Sequence, residues 1–146
     1  MSEELIVQER AYQDSAVPAA NGIEIASLVR LFLLTENLDY LDRAETALQS
    51  FATVLERAPR ACPRLLSPLD WFTHPTLIRT TAEQMPLLLN CALPTTIIKL
   101  EEAMSQSNLI EPNQKVIALV CKGLSCKKSA TDKAMMMAQI DQSQGL

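Results

Sequence analysis

The chain has 146 residues, which is enough for one domain with a hydrophobic core of its own. Hydrophobic residues make up 48% of it, aromatic residues only 4%, and there are 3 glycines, so the composition favours a helix-rich globular protein over a β-sandwich or a low-complexity chain. The formal net charge of -4 argues against non-specific binding to nucleic acid or to an anionic membrane, because both need a basic surface.

The start of the chain, Met1–Arg10, is acidic and lacks the basic residues and apolar centre of a secretory signal. No later apolar run reaches the roughly 18 residues of a membrane span. The sequence therefore predicts a cytoplasmic protein. Because the cytosol opposes structural disulfides, the four cysteines are expected to be reduced thiols.

Residues 1–58 are predicted to hold a helical hairpin. Asn21 is a candidate N-cap for a first helix that starts at Gly22 or Ile23. This helix is apolar on most of its sides, which predicts packing neighbours on more than one side. A second helix, starting near Asn37 or Asp39, is amphipathic and is predicted to be the outer member of the pair. Its apolar positions recur at helical spacing and are Leu41, Ala44, Leu48, Phe51, Ala52 and Leu55.

Prolines interrupt the chain after the hairpin and predict a connector over residues 59–75, with a short apolar helix or turn around Leu65–Phe72. Residues 76–140 then show a β-α-β-β-α pattern, which indicates a small, partly parallel sheet with helices packed on it. The predicted fold is therefore an α-rich α+β protein, with a helical hairpin followed by a small α/β subdomain.

Within that subdomain, the run Lys115–Cys121 is almost entirely apolar and suits a central strand covered on both faces. The tail, residues 141–146, is expected to be frayed. The other predicted elements are the strands Thr76–Thr80 and Thr95–Leu100 and the helices Ala82–Asn90 and Thr131–Ile140. Pro86 is expected either to shorten the first of these helices or to lie in its first turn.

Two segments carry a family resemblance. The hairpin reads P-A-A-N-G before its apolar helix and then L-L-T-E-N-L-D-Y-L-D-R-A, and Val120–Cys126 reads V-C-K-G-L-S-C after a predicted strand. These segments resemble the last helical hairpin and the closing V-C-x4-C segment of the spermatogenesis-associated, thioredoxin-domain-containing family. Its members pair a thioredoxin-like domain with a six-hairpin α/α toroid similar to N-acylglucosamine epimerases. The resemblance implies that this chain is the C-terminal portion of such a protein.

The same resemblance implies where a site would lie. Pro18 and Asn21 match the family's P-S-x-N turn and are candidates to line the sugar-sized cavity of the toroid. For Asn21 the alternative is the helix cap alone, which needs only an oxygen facing the first free N–H groups. The chain is then not expected to be catalytic by itself. Its expected partner is the N-terminal part of the parent protein, or a second copy through the apolar helix, with no nucleic acid and no membrane.

A second candidate site is the pair Cys121 and Cys126, separated by a short loop that contains Gly123. One interpretation is a reversible redox pair whose thiolate is stabilised by the neighbouring lysines. The other is structural, with Cys121 a buried residue at the end of a strand and Cys126 a small loop residue. No metal or cofactor is predicted, because further ligands would have to come from unrelated segments and no glycine-rich phosphate loop occurs.

Three functions are consistent with the sequence. The chain is the C-terminal part of a toroid protein with a carbohydrate-related or redox-related role, a small thiol redox module, or a helical interaction protein. The last would dock through Ile25, Val29 and Phe32 on the first helix.

Overall fold

The computed structural model describes residues 20–103 and 115–145, and the α-rich α+β class predicted from the sequence is confirmed there. The helices are α1 (Ala20–Thr35), α2 (Leu38–Ser50), α3 (Ala52–Arg57), α4 (Pro63–Thr73) and α5 (Lys133–Gln144), and the strands are β1 (Thr76–Thr80), β2 (Thr96–Leu100), β3 (Ala118–Lys122) and β4 (Ser125–Cys126).

The predicted hairpin is formed by α1 and α2. Asn37 caps α2, since its side-chain oxygen accepts a hydrogen bond from the backbone N–H of Asp39 at 3.0 Å. The corresponding prediction for Asn21 is wrong, because α1 begins at Ala20 and includes Asn21 in its first turn. The second helix is also shorter than predicted, because the buried Phe51 interrupts it and separates α2 from α3.

The four strands form one mixed sheet in the order β2-β1-β3-β4. Strands β1 and β2 are parallel, whereas β3 runs antiparallel to both β1 and β4. Strand β3 is interior and its first four residues are buried, as its apolar sequence predicted. It starts at Ala118 rather than Lys115, and β4, which follows it after a two-residue turn, was not predicted.

The sheet lies between two layers of helix. On one face, Leu77 and Leu119 pack in the same core as α1, α2 and α4. On the other face, Ile78 and Val120 pack with α5. Because alternate residues of a strand point to opposite faces, one short apolar strand supplies both cores. The hairpin and the α/β part therefore share a core.

Two predicted helices have other bounds in the structure. The short helix predicted around Leu65–Phe72 forms as α4, which has eleven residues and begins at Pro63, where a proline is compatible with the first helical turn. The predicted helix Ala82–Asn90 is reduced to a 3-10 turn over Met85–Leu87 that includes Pro86, which lacks an N–H for a helical hydrogen bond.

The tail predicted to fray is helical up to Gln144. Ser143 is fully buried and its hydroxyl shares a hydrogen bond with that of Thr76 at 2.7 Å. The side-chain amide of Gln144 donates to the backbone oxygen of Pro94 at 2.9 Å. These contacts attach the end of α5 to the starts of β1 and β2, so the chain remains ordered there.

Candidate functional site

The two cysteines predicted as a thiol pair are joined in a β-hairpin. Gly123 and Leu124 form the turn between β3 and β4, and Gly123 has a positive φ of 58° that glycine adopts at little cost. Cys121 and Cys126 lie directly opposite each other and form a disulfide with an S–S distance of 2.00 Å. The expectation that all four cysteines are reduced is therefore contradicted.

The hairpin register explains why these sulfurs meet. The backbone N–H of Lys127 donates to the oxygen of Val120 at 2.9 Å, on one side of the cysteine pair. In an antiparallel ladder, residues next to such a hydrogen-bonded pair form a non-hydrogen-bonded pair, in which side chains approach most closely. The turn length thus fixes the register and the register places Cys121 against Cys126.

The two sulfurs have different surroundings. Cys121 is 0% exposed and belongs to the core beneath α1, with Leu77 beside it on β1. Cys126 is partly exposed on the edge strand β4. Lys122 and Lys128 are exposed nearby in the chain, whereas the Lys127 ammonium donates to Oε1 of Gln142 at 2.5 Å. The disulfide therefore joins a fully buried cysteine to one that is partly exposed at the margin of the same core.

The remaining two cysteines take no part in this disulfide. Cys62 is buried in the same core, where its thiol donates to the backbone oxygen of Ala58 at 3.4 Å, and the Cys91 sulfur lies 3.5 Å from the Met137 sulfur. His74, which directly follows α4, shares a hydrogen bond through Nδ1 with Oδ1 of Asp70 in the last turn of that helix at 3.0 Å. Across residues 20–103 and 115–145, no group of three or more His, Cys, Asp and Glu residues is arranged to hold a metal ion.

Asn21 lies on a groove, and the second cavity candidate, Pro18, lies outside the described residues. The groove is open, has a volume of about 460 Å³ and runs between the start of α1 and one side of α2. Its polar lining includes Asp42 and Arg43. This groove lies on the surface of the hairpin, and the role of Asn21 in lining a toroid cavity stays a prediction.

The interaction face predicted on α1 is wrong. Ile25, Val29 and Phe32 are each at most 2% exposed, because that side of the helix packs against α2, α4 and the sheet. The opposite side carries exposed apolar residues together with the polar Ser27 and Arg30. There, Ile23 is 53% exposed, Leu31 40% and Leu34 45%, and their spacing of eight and three residues places them on one side of a helix.

These three residues, Ile23, Leu31 and Leu34, are called the apolar α1 face below. The sequence pattern indicated an apolar helix with neighbours on several sides but did not identify which side is left exposed. That depends on where α4 packs, and α4 was predicted only as a connector with a short helix or turn.

The comparisons with known proteins gave no match to this chain, whether with protein-family models, curated proteins or solved structures. Among the helices within the described parts of the chain, none combines the length and apolar character that crossing a membrane requires.

Proposed function

We propose that this chain is the C-terminal part of a thioredoxin-domain, six-hairpin toroid protein and docks onto the rest of it through the apolar α1 face. The observation that carries the proposal is the exposure of Ile23, Leu31 and Leu34 on a helix whose opposite side, bearing Val29, is already covered. A toroid wall is made of neighbouring helical hairpins, and an adjacent hairpin would cover this face.

The energy available at this face fits a docking surface. Complete burial of a Leu or Ile side chain stabilises by about 1.5–3 kcal/mol, so burying the exposed half of each contributes about 1 kcal/mol. The three side chains together would contribute about 3 kcal/mol. Isolated exposed apolar residues need no explanation, but three on one side of a helix indicate a contact surface.

In this proposal the chain has no catalytic group of its own, and the parent protein has a carbohydrate-related or redox-related role in the cytoplasm. The α1–α2 pair is the last hairpin of the wall. The sheet and α5 follow this hairpin in the chain and would form the C-terminal end of the protein. The P-A-A-N-G and V-C-K-G-L-S-C segments support this assignment through their resemblance to the family.

The coding sequence upstream of Met1 provides the first test. We expect it to encode further helical hairpins and a thioredoxin-like domain, either in frame or in an adjacent reading frame. An upstream region that encodes neither would contradict the proposal.

Binding between the two parts provides the second test. The upstream hairpins, supplied as a separate polypeptide, should bind this chain, and the double variant Leu31→Glu/Leu34→Glu should lose that binding while its unfolding transition is retained. The matched control is Leu89→Glu, because Leu89 is also an exposed leucine but lies between β1 and β2. Retained binding by the double variant, or a monodisperse monomer that binds nothing, would argue against the proposal.

A second function is favoured by the disulfide. We propose that Cys121 and Cys126 cycle between a disulfide and two thiols. A cytoplasmic disulfide is usually transient, catalytic or sensory, because glutathione and thioredoxin keep structural thiols reduced. One residue of this disulfide, Cys126, is partly exposed, and exchange with an external thiol requires access to one of the two cysteines.

Equilibration in buffers of different thiol-to-disulfide ratio tests this function. After acid quenching and unfolding, alkylation and mass spectrometry count the free cysteines. We expect two cysteines, Cys121 and Cys126, to titrate together as a two-electron couple, with Cys62 and Cys91 alkylated throughout as internal controls. A chain with four free thiols in every buffer would exclude this function.

A further inference from the structure

We infer that an external dithiol attacks the sulfur of Cys126 and that Cys121 is the buried leaving group. This assignment rests on the second proposed function, the reversible thiol pair. It specifies which sulfur carries the mixed disulfide and the chemical class of the co-reactant.

Access distinguishes the two sulfurs. Thiol–disulfide exchange requires a thiolate to reach one sulfur from the side opposite to its bonded partner. Cys121 is 0% exposed, and the core formed by Leu77, Leu119 and α1 surrounds it. Cys126 is partly exposed on β4, which pairs only with β3 in the sheet of the described residues. Cys126 packs at the margin of the same core and is the less buried of the two, so an external thiolate meets it first.

One charge near Cys126 favours approach at the same sulfur. Lys127 and Lys128 directly follow Cys126, and Lys128 is exposed, so its positive charge acts on the solvent side. Lys122 pairs with Ser125 and, as the neighbour of Cys121 on β3, points to the face of the sheet opposite the disulfide. A cationic surrounding stabilises the incoming thiolate. By contrast, Leu77 and Leu119 on the core side of Cys121 carry no charge.

The exchange balances in two steps. In the first, a thiolate of the dithiol bonds to the Cys126 sulfur, the bond between Cys126 and Cys121 breaks, and its electron pair remains on Cys121, which takes a proton from solvent. In the second, the remaining thiolate of the dithiol attacks the dithiol sulfur that is bonded to Cys126. The bond to Cys126 breaks, and the released Cys126 thiolate takes a proton from solvent. The chain gains two electrons and two protons, and the dithiol becomes a cyclic disulfide.

Leaving-group chemistry by itself favours attack at Cys121, with Cys126 as the leaving group. An apolar surrounding disfavours a thiolate, so Cys121 is the poorer leaving group of the two. Steric access nevertheless decides the site of attack, because reaching Cys121 would require displacing packed side chains of the core. The consequence is a slow first step rather than a change of site. We therefore expect reduction to be slower than for an exposed small-molecule disulfide such as oxidised glutathione.

Glutathione, a monothiol, is the probe for the site of attack, because it lacks the second thiol that would resolve the mixed disulfide. The oxidised full chain is treated briefly with reduced glutathione, quenched with acid, alkylated and digested with trypsin. Cleavage at Lys115, Lys122 and Lys127 places Cys121 and Cys126 on the separate peptides Val116–Lys122 and Gly123–Lys127. We expect glutathione on the Cys126 peptide in a roughly tenfold or larger excess.

Glutathione found mainly on the Cys121 peptide, or equally on both, would overturn the assignment while leaving the reversible pair intact. If the chain contains no disulfide after oxidation and before glutathione is added, the proposed thiol function itself is refuted. Failure of the attack-site assignment is therefore distinguishable from failure of the thiol function.

Single variants provide the second measurement. With a chromogenic aromatic disulfide, Cys121→Ser should expose a fast-reacting Cys126, whereas Cys126→Ser should leave a slow-reacting Cys121. The reverse order would also contradict the assignment.

Discussion

Gly22 of α1 lies against the backbone of Arg64 in α4, and this contact yields a testable prediction. A Cβ atom added at Gly22 would lie 2.6 Å from the backbone oxygen of Arg64 and 3.0 Å from the carbon of the same carbonyl. Real Cβ atoms do not approach a backbone oxygen this closely, so Gly22→Ala must push the two helices apart or distort one of them. A backbone atom cannot move aside as the end of a flexible side chain can.

Two effects of opposite sign determine the size of the change. Replacing glycine by alanine inside a helix stabilises by up to about 1 kcal/mol, and by less in the first turn, where Gly22 lies. Overpacking a tight contact costs about 1–3 kcal/mol. The steric cost is the larger, and we expect Gly22→Ala to lower the free energy of unfolding by about 1–2 kcal/mol.

Urea unfolding followed by circular dichroism measures the change, with the slope of the transition checked for constancy. The control is Ala138→Gly on the exposed side of α5, which reports the helix-propensity effect without a steric contact and should cost about 1 kcal/mol. If Gly22→Ala is as stable as the unchanged chain or more stable, the α1–α4 contact is not as tight as described.

Three further predictions concern stability. Asn37→Ala should cost about 1 kcal/mol by removing the cap of α2, while Asn37→Asp should retain most of it, and an equal loss in both would contradict the cap. Ser143→Ala should cost about 1 kcal/mol and increase backbone hydrogen exchange at the end of α5, because it removes the hydrogen bond to Thr76; unchanged exchange would show that this contact does not order the tail. The disulfide closes a short loop of sequence separation 5. Cys126→Ser should therefore lower the free energy of unfolding by about 2 kcal/mol under oxidising conditions. Most of this difference from the unchanged chain should disappear when both proteins are fully reduced. A difference that does not depend on redox conditions would refute a stabilising disulfide with Cys121.

Local patterns in the sequence were sufficient for elements that depend on near neighbours. The strand Thr76–Thr80 was predicted with its observed bounds, and Asn37 was a candidate start for the second helix. The apolar run ending at Cys121 identified an interior strand. The five-residue separation of Cys121 and Cys126 was enough to suggest that their sulfurs could meet, because a short connection limits how far apart two residues can lie.

The elements that were wrong depend on distant contacts. Gln144 and Ser143 are ordered through partners near the starts of β1 and β2, and nothing in the last six residues indicates those partners. Residues 82–90 are helical in pattern, but the crossover between the parallel strands β1 and β2 contains only a 3-10 turn there, and Pro86 removes a helical hydrogen bond.

The sequence by itself determined that α1 is apolar nearly all round and that two cysteines lie close together. Only the tertiary structure decided which side of α1 is covered and which cysteine is buried. The side bearing Val29 faces α4 and the sheet, whereas the side bearing Leu31 remains exposed. Burial depends on the packing of helices and strands that are distant in the chain, because the hydrophobic effect acts on surface removed from water and not on sequence neighbours.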